Sequence, residues 1–157
     1  RSPDRTVVSC PDCGMAYLSF HLPAGPSYGE SYFFEEYRSQ YGKTYLEDFG
    51  AIKARGEGRL RRIEGVLRSR ADKSESRVPS VLDVGCAYGP FLDAARDRGW
   101  NPVGTDVCEE AVAHVRDVLG IPAVRAAFPA MEAGLLPDPG PFDAVTLWFV
   151  IEHFDRL

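Results

Sequence analysis

The stretch from Val81 to Leu92, VLDVGCAYGPFL, sets an acid before a turn of small residues, and a proline follows the turn. Asp83 lies two residues before Gly85, and small residues then recur at every second position up to Gly89. A carboxylate beside such a turn repels a phosphate group but suits an amine or a sulfonium. The stretch therefore predicts a site for a cationic ligand that carries no diphosphate.

A second acid, Asp106, follows 17 residues after Gly89. A carboxylate there can accept both hydroxyl groups of a ribose, as in dinucleotide-binding folds. A ribose and a cation without phosphates together describe S-adenosylmethionine. Two plainer interpretations remain open at this point. The turn could be only a connection between a strand and a helix, and Asp106 could only cap the helix that follows it.

Residues 80–157 alternate between strand-like and helix-like patterns. Asp83 lies in the first predicted strand of this segment, and Asp106 lies at the end of the second. This alternation predicts an α/β fold with a doubly wound, mostly parallel sheet, present here through its fourth strand. Ligands of such sheets bind beyond the carboxyl ends of the strands, where strand order reverses. The strands are predicted at 80–84, 102–106, 123–128 and 142–151, and the helices at 90–99 and 108–120.

Residues 26–79 are predicted to form a helical segment that ends in a linker. Ser/Thr-x-x-Glu capping boxes occur at 27–30 and 44–47, and Gly42 is expected to end the first helix. An aromatic stripe at helical spacing is interpreted as ordinary packing, with the wall of a ligand site as the alternative. The stripe consists of Phe34, Tyr37, Tyr41 and Tyr45.

The arginine-rich run from Arg59 to Arg77 raises the question of RNA binding. Its apolar residues follow helical spacing and acids are interspersed, so a solvated helix face followed by a polar linker is the better interpretation. The chain as a whole has a net charge of -5, which argues against a nucleic-acid surface as its dominant feature. We therefore expect no nucleic-acid partner.

Residues 1–25 contain Cys10-Pro-Asp-Cys13-Gly, flanked by residues typical of strands. Two cysteines at this spacing form half of a tetrahedral zinc site, and His21 would add at most a third ligand. We therefore predict a small hairpin that forms half of a zinc-binding element, with the other ligands upstream of Arg1 or in a partner. The alternative is a hairpin with two free thiols.

The 157 residues are 45% hydrophobic and suffice for one core with an appendage. No apolar run is long enough to cross a membrane, and the first residues do not form a signal peptide, so a cytoplasmic location without membrane contact is expected. Four cysteines in this arrangement suit a reducing compartment. Because the fourth strand is apolar and predicted to be buried on both faces, we expect further polypeptide beyond residue 157.

Segment 81–157 resembles the class I S-adenosylmethionine-dependent methyltransferases, in particular small-molecule enzymes similar to ubiquinone-biosynthesis methyltransferases. Three motifs carry the resemblance in order: VLDVGCAYG, GTDVCEEAV and FDAVTLWFVIEHF. The preceding YFFEEYRSQYGKTYLEDF and the Cys-x-x-Cys-Gly also look like the N-terminal region of such enzymes, some of which bind zinc there. The resemblance implies a Rossmann-like methyltransferase fold, with S-adenosylhomocysteine as a product.

The resemblance also assigns roles to single residues. Asp83 would hold the ammonium group, Asp106 the ribose, and Val107 the adenine, while Leu147 and Trp148 would lie near the methionine carboxylate and the methyl group. Ala87 stands where relatives often have glycine, which a methyl group tolerates if φ is negative. The turn residues assigned to the cofactor are Gly85, Cys86, Ala87 and Gly89.

Methyl transfer to a small-molecule acceptor needs alignment of the reactants, and a general base only for some acceptors. His153 is the best-placed candidate base, with Glu152 next to it, although a histidine there can equally well serve packing. Two other functions remain as alternatives. One is a nucleic-acid-modifying methyltransferase or zinc-assisted nucleic-acid-binding protein, and the other is a dinucleotide-binding oxidoreductase.

Overall fold

The computed structural model describes residues 7–14, 16–18, 29–70, 77–128, 133–137 and 140–151. The chain divides into two units, one made of 1–26 with 153–157 and the other of 27–152. In the first unit, strands β1 (Val7–Ser9) and β2 (Ala16–Leu18) pair antiparallel. The turn after β1 is closed by a hydrogen bond from the Gly14 amide to the Cys10 carbonyl at 2.9 Å. The predicted hairpin is therefore present.

The second unit contains a parallel four-stranded sheet in the order β5-β4-β3-β6. The chain moves outward from β3 to β4 to β5 and then returns to the other side of β3, so strand order reverses between β3 and β6. Ligand crevices of open α/β sheets lie at such a reversal. The strands are β3 (Ser80–Val84), β4 (Asn101–Asp106), β5 (Ala123–Arg125) and β6 (Ala144–Thr146).

The helix after β3 forms as the sequence predicts. α3 (Pro90–Asp97) has proline in its first turn, where no backbone N–H is needed, and the chain leaves the helix through Gly99 at φ +79°. Its apolar face packs on α2 (Phe49–Arg70) around the buried side chains of Leu60 and Phe91. This contact holds α2 against the sheet.

The segment before α2 begins with a π-helical turn (Tyr32–Glu36) and continues as α1 (Tyr37–Tyr41). Gly42 ends α1 at φ +75°, as predicted. The predicted capping box at 44–47 is also present, because the Glu47 carboxylate accepts the Thr44 amide at 2.6 Å and the Thr44 hydroxyl accepts the Glu47 amide at 3.2 Å. The capping box at 27–30 includes residues outside the described part of the chain.

The structure corrects the prediction for the fourth strand. β6 spans three residues, and residues 148–150 form a turn where the sequence predicted continued strand. Val145 on β6 is 53% exposed, and Phe149 in the turn that follows is 76% exposed. The predicted burial on both faces is therefore wrong for the described chain.

Two other elements are shorter than predicted. β5 ends at Arg125, whereas the sequence predicted strand up to residue 128. The helix predicted at 108–120 is α4 (Glu109–Ala113) followed by a π-helical turn (His114–Val118). A short 3-10 turn at Ala133–Leu135 precedes β6. Within the described ranges, no helix combines the length and the apolar character needed to span a membrane.

Candidate functional site

The glycine-rich turn is held tightly against the next strand. The amides of Gly85 and Cys86 both donate to the carbonyl of Thr105 on β4, at 2.7 and 2.9 Å. The Gly89 amide then donates to the Cys86 carbonyl at 2.9 Å, which closes the turn before α3 begins. The turn therefore lies at the carboxyl ends of β3 and β4, where the sequence predicted a ligand crevice.

The glycines of the turn are needed for packing and for positive φ. Gly85 has φ +72°, and a Cβ there would collide with the side chain of Val150. Gly89 has φ +81°, and its Cβ would lie 2.8 Å from Cγ2 of Val115. Both glycines are explained without a ligand, so their predicted contact with a cofactor stays a prediction.

Ala87 adopts φ +49°, which corrects the expectation that its methyl group would be tolerated at negative φ. A left-handed alanine is strained by roughly 1 kcal/mol. Hydrogen bonding holds it there, because the Ala87 amide donates to Oδ2 of Asp106 at 2.8 Å. The middle of the turn is thus fixed by the very acid that was predicted to hold the ribose.

Asp106 is buried at the end of β4 and connects two loops. Its Oδ1 accepts the Cys108 amide at 2.9 Å, while its Oδ2 accepts Ala87. Burial raises the pKa of Asp106, and these backbone hydrogen bonds oppose the rise. Asp106 is therefore more than a helix cap. Each carboxylate oxygen also keeps a lone pair for a further donor, such as a hydroxyl group.

Asp83 lies on β3 and is 2% exposed. The Thr146 hydroxyl on β6 donates to its Oδ1 at 2.6 Å. Burial, with a smaller contribution from the Asp106 charge, raises the pKa of Asp83 to about 7. Among the described residues Asp83 forms no ion pair, although the Arg59 charge opposes the rise of its pKa, and a buried carboxyl of this kind is a ready acceptor for an ammonium or sulfonium group.

Aromatic side chains pack near the glycine-rich turn and the two acids. Tyr45 is one of them, and the sequence analysis interpreted it as a packing residue. Burial, followed by the charges of Asp83 and other acids nearby, raises the pKa of the Tyr45 hydroxyl. Its ring packs edge-on against Phe33 at 5.3 Å, and Phe33 packs against Tyr88 of the turn at 5.1 Å. The aromatic stripe was the signal that could have identified it.

The two residues predicted at the methyl end lie just beyond β6 rather than within a strand. Leu147 packs on the core around Leu82 and Val84. Trp148 packs edge-on against Phe91 at 5.4 Å, and the Arg59 guanidinium lies 4.1 Å from its ring centre. Arg59 was predicted to belong to a solvated face, so this contact corrects that interpretation in part.

The remaining predicted residues fall into separate groups. Val107 is 42% exposed beside Asp106, which leaves its surface open to a ligand. Cys86 is buried, and burial raises its thiol pKa well above the usual value, so it serves as a packing residue of the turn. His153 and Glu152 lie outside the described residues.

Cys10 and Cys13 lie in the hairpin turn as free thiols. Hydrogen bonds from the backbone amides of Cys13 and Asp12 lower the pKa of Cys10, which favours the thiolate form that metals bind. Over the described parts of the chain, no group of three or more His, Cys, Asp and Glu side chains is placed to hold a metal ion. The two cysteines therefore supply at most half of a zinc site there.

The donor set at the crevice fits S-adenosylmethionine better than a dinucleotide. Asp83 and Asp106 are both buried acids at the carboxyl ends of neighbouring parallel strands. Such a pair attracts a cation and accepts ribose hydroxyls, whereas a diphosphate at the turn would be repelled by Asp83. Aromatic rings also pack on the turn, and such rings suit a ligand with an adenine ring.

Comparison with known proteins agrees with this chemistry. The family described as a methyltransferase domain matches residues 37–157. No curated protein matches the chain.

Several solved structures are similar to the chain over part of their length. S-adenosylmethionine-bound CalS10, an amino pentose methyltransferase from Micromonospora echinaspora involved in calicheamicin biosynthesis, is 23% identical, with 74% of this chain and 43% of that chain covered and a TM-score of 0.47. DesVI of Streptomyces venezuelae is 21% identical, with 65% and 37% covered and a TM-score of 0.43. Magnesium protoporphyrin IX methyltransferase from Synechocystis PCC 6803 is 17% identical, with 79% and 58% covered and a TM-score of 0.46.

The chain spans less than two thirds of the length of each of these three structures. The family match, by contrast, runs from the first residue of α1 to the last residue of the sequence and includes both buried acids. The chain belongs to the methyltransferase domain family.

Proposed function

We propose that the chain forms the cofactor-binding part of an S-adenosylmethionine-dependent methyltransferase that acts on a small molecule. The observation that carries the proposal is the link between two buried acids and the glycine-rich turn. Asp106 binds the Ala87 amide at 2.8 Å, and Asp83 lies on the neighbouring strand with a pKa near 7. The sequence motif and this geometry both support giving these residues to the cofactor in our proposal.

Each residue has a separate task in this proposal. S-adenosylmethionine supplies a methyl group that is already activated by its positively charged sulfur. Asp106 accepts the ribose hydroxyls, and Asp83 balances the charge of the ammonium group. Tyr45 and the neighbouring rings exclude water from the reacting groups, so that the protein mainly aligns acceptor and cofactor.

The acceptor provides an oxygen, nitrogen or carbon nucleophile. A hydroxyl or carbon acceptor needs a general base, and His153 with Glu152 remains our proposal for that role. Their support is the sequence alone, in which both come within five residues after Trp148. We propose a cytoplasmic location, supported by the buried free thiols of Cys86 and Cys108.

The test is calorimetric titration of the longest obtainable form of the polypeptide with S-adenosylmethionine, S-adenosylhomocysteine and NADH. We expect both sulfur nucleosides to bind at micromolar concentrations and NADH not to bind. NADH binding without the sulfur nucleosides would instead support a dinucleotide-dependent oxidoreductase. A folded protein that binds none of the three would leave the turn with only a structural role and would end the proposal.

We also propose that Cys10 and Cys13 contribute two ligands to a zinc ion whose other ligands lie outside the described residues. The lowered pKa of Cys10 supports this, since a thiolate is the form that binds zinc. Zinc content of the purified polypeptide, measured by atomic absorption, should fall when Cys13 is replaced by serine. Equal zinc content in the two proteins would remove these ligands from the proposal.

A further inference from the structure

Arg59 is the one arginine of α2 that the structure places on an aromatic surface next to the crevice. Its guanidinium lies 4.1 Å from the ring centre of Trp148 and 5.6 Å from that of Phe149. Partial burial lowers its pKa, but an arginine side chain stays cationic at neutral pH. A guanidinium stacked in this way is held in one orientation with its N–H donors free for a planar or tetrahedral oxyanion.

Further arginines extend this surface along the helix. Arg55, Arg59 and Arg62 recur at helical spacing and share one side of α2. An open cleft of about 540 Å³ lies among these side chains. The lining residues of the cleft are Arg55, Gly58, Arg59, Arg61 and Arg62, which we call the arginine cleft.

The charge of the arginine cleft is poorly balanced by nearby acids. α2 contains seven Lys and Arg residues against two Glu residues, a balance of +5, in a chain whose net charge is -5. Arg98 and Glu64 form an ion pair at 2.6 Å, and Arg55 reaches Asp48 at 3.4 Å. By contrast, Arg59 and Arg62 make no ion pair with any residue that the structure describes. Clustered cations without acids attract an external anion.

The arginine cleft adjoins the proposed cofactor site through β6. The Arg59 guanidinium stacks on the ring of Trp148. Trp148 comes two residues after Thr146, whose hydroxyl donates to Asp83. The charge of Asp83 acts on Arg59 as well, and it opposes the lowering of the Arg59 pKa. Arg59 therefore lies where strand order reverses, on the side opposite Asp106 and the predicted ribose position.

We propose that Arg59 and Arg62 bind an anionic group, a phosphate or a carboxylate, of the methyl acceptor. This inference rests on the proposed methyltransferase function. The length of the arginine cleft favours the acceptor over the cofactor as its ligand. Arg55 to Arg62 spans about 10 Å along the helix, which is longer than the single methionine carboxylate of the cofactor.

The experiment titrates the protein saturated with S-adenosylhomocysteine, using pyrophosphate and succinate in turn as probes. Arg59→Met and Arg62→Met remove one cation each, Arg59→Lys keeps the charge but loses the planar group, and Arg68→Met is the control on an exposed part of the same helix. Circular dichroism checks the helix content of each variant. Titration of each protein with S-adenosylhomocysteine alone comes first.

We expect at least one probe to bind the wild type, with tenfold weaker binding in Arg59→Met, several-fold weaker binding in Arg62→Met and Arg59→Lys, and no change in Arg68→Met. Pyrophosphate binding indicates a phosphorylated acceptor, and succinate binding alone indicates a carboxylated one. Both results support the inference.

Four results would overturn it. If the wild type binds S-adenosylhomocysteine but neither anion, or if Arg59→Met binds the anion as the wild type does, the anion site is wrong and the methyltransferase proposal stands. If Arg59→Met loses S-adenosylhomocysteine but keeps the anion, the guanidinium serves the cofactor. If the anion binds through Arg59 but S-adenosylhomocysteine does not bind to the wild type, the proposed function fails and the assignment to an acceptor fails with it.

Discussion

The two sides of the crevice have opposite charge and opposite origins. On one side, Asp83 and Asp106 end neighbouring strands, are buried, and are tied to the backbone or to a hydroxyl group. On the other side, Arg59 and Arg62 belong to a helix that precedes the sheet, and no described acid pairs with them. The acidic side suits a cationic cofactor and the basic side suits an anionic acceptor, so each side would exclude the other ligand.

The two sides also differ in how they are held. The acidic side is built from residues close in sequence, because Gly85, Ala87 and Asp106 meet through hydrogen bonds between two adjacent strands. The basic side depends on one contact between residues 59 and 148, which joins α2 to the turn after β6. We therefore expect substitutions on the acidic side to have the larger effects.

The largest effect is expected for Asp83→Asn in the protein without ligand. Because burial raises the pKa of Asp83 from its usual value to about 7, the folded state holds a proton that the unfolded state releases near pH 4. The wild type therefore loses stability as pH rises from 4 to 7. At pH 8 the free energy of unfolding of Asp83→Asn should exceed that of the wild type by roughly 2 to 4 kcal/mol, as measured by urea denaturation.

The same comparison at pH 5 provides the internal control, since the advantage of the variant should then be much smaller. Asp117→Asn, at an exposed carboxylate with 62% of its side chain in solvent, should change stability at neither pH. A variant that is less stable than the wild type at pH 8 would show that Asp83 is ionised and well paired in the folded protein. That would contradict our account of the acidic side.

The second effect concerns cofactor affinity at Asp106. Asp106→Asn keeps one oxygen acceptor but replaces the other with an amide that must face Ala87 or Cys108, whose amides donate at 2.8 and 2.9 Å. Loss of a charged acceptor for the ribose should weaken S-adenosylhomocysteine binding by about 2 kcal/mol, roughly 30-fold. Calorimetry measures this directly, with Asp117→Asn as the control. Equal affinities would remove the ribose assignment.

Much of the acidic side could be predicted from the sequence. The strands ending at Val84 and Asp106 were predicted within one residue, since alternating apolar runs and glycine stops act locally. The helix end at Gly42 and the capping box at Thr44 followed from equally local signals. These features depend on residues within a few positions of each other, so the order of residue types suffices.

The basic side could not be predicted in the same way. Nothing local distinguishes Arg59, which stacks on Trp148, from the exposed Arg61 two positions later. Tyr45 was predicted to be a packing residue because the spacing of the aromatic stripe does not show which ring lies near Asp83 and Asp106. The prediction for the fourth strand failed for a related reason, since an apolar sequence does not show where the strand stops or which of its side chains another element covers.

Two glycines, one on each side, show that the acidic side is tightly packed and that the basic side has open space. A Cβ at Gly104 on β4 would lie 2.6 Å from Cδ1 of Leu92 and 2.8 Å from the Cys86 sulfur, whereas a Cβ at Gly65 on α2 meets nothing within 4 Å. Gly104→Ala should lower the free energy of unfolding by about 1 to 3 kcal/mol through overpacking. Gly65→Ala should raise it by roughly 0.5 to 1 kcal/mol, because alanine favours the helix.

Urea denaturation gives both values, and S-adenosylhomocysteine titration adds a second measurement. The added methyl group of Gly104→Ala crowds Cys86 in the turn and should also weaken the binding of S-adenosylhomocysteine. Gly65→Ala should leave this binding unchanged. If Gly104→Ala were as stable as the wild type, the turn would have room to shift. The close packing that we assign to the acidic side would then be wrong.

The smallest effect is expected for Trp148→Phe, which changes the surface beneath Arg59. Phenylalanine keeps a ring for the guanidinium but offers a weaker cation–π contact, so pyrophosphate affinity should fall about two- to threefold. Stability should not fall in parallel, because the substitution also removes a buried indole N–H that has no partner among the described residues. Calorimetry should therefore show weaker pyrophosphate binding, while urea denaturation should show no loss of stability. If the anion affinity stays unchanged while stability drops, Trp148 is only a core residue, and the basic side consists of the arginines alone.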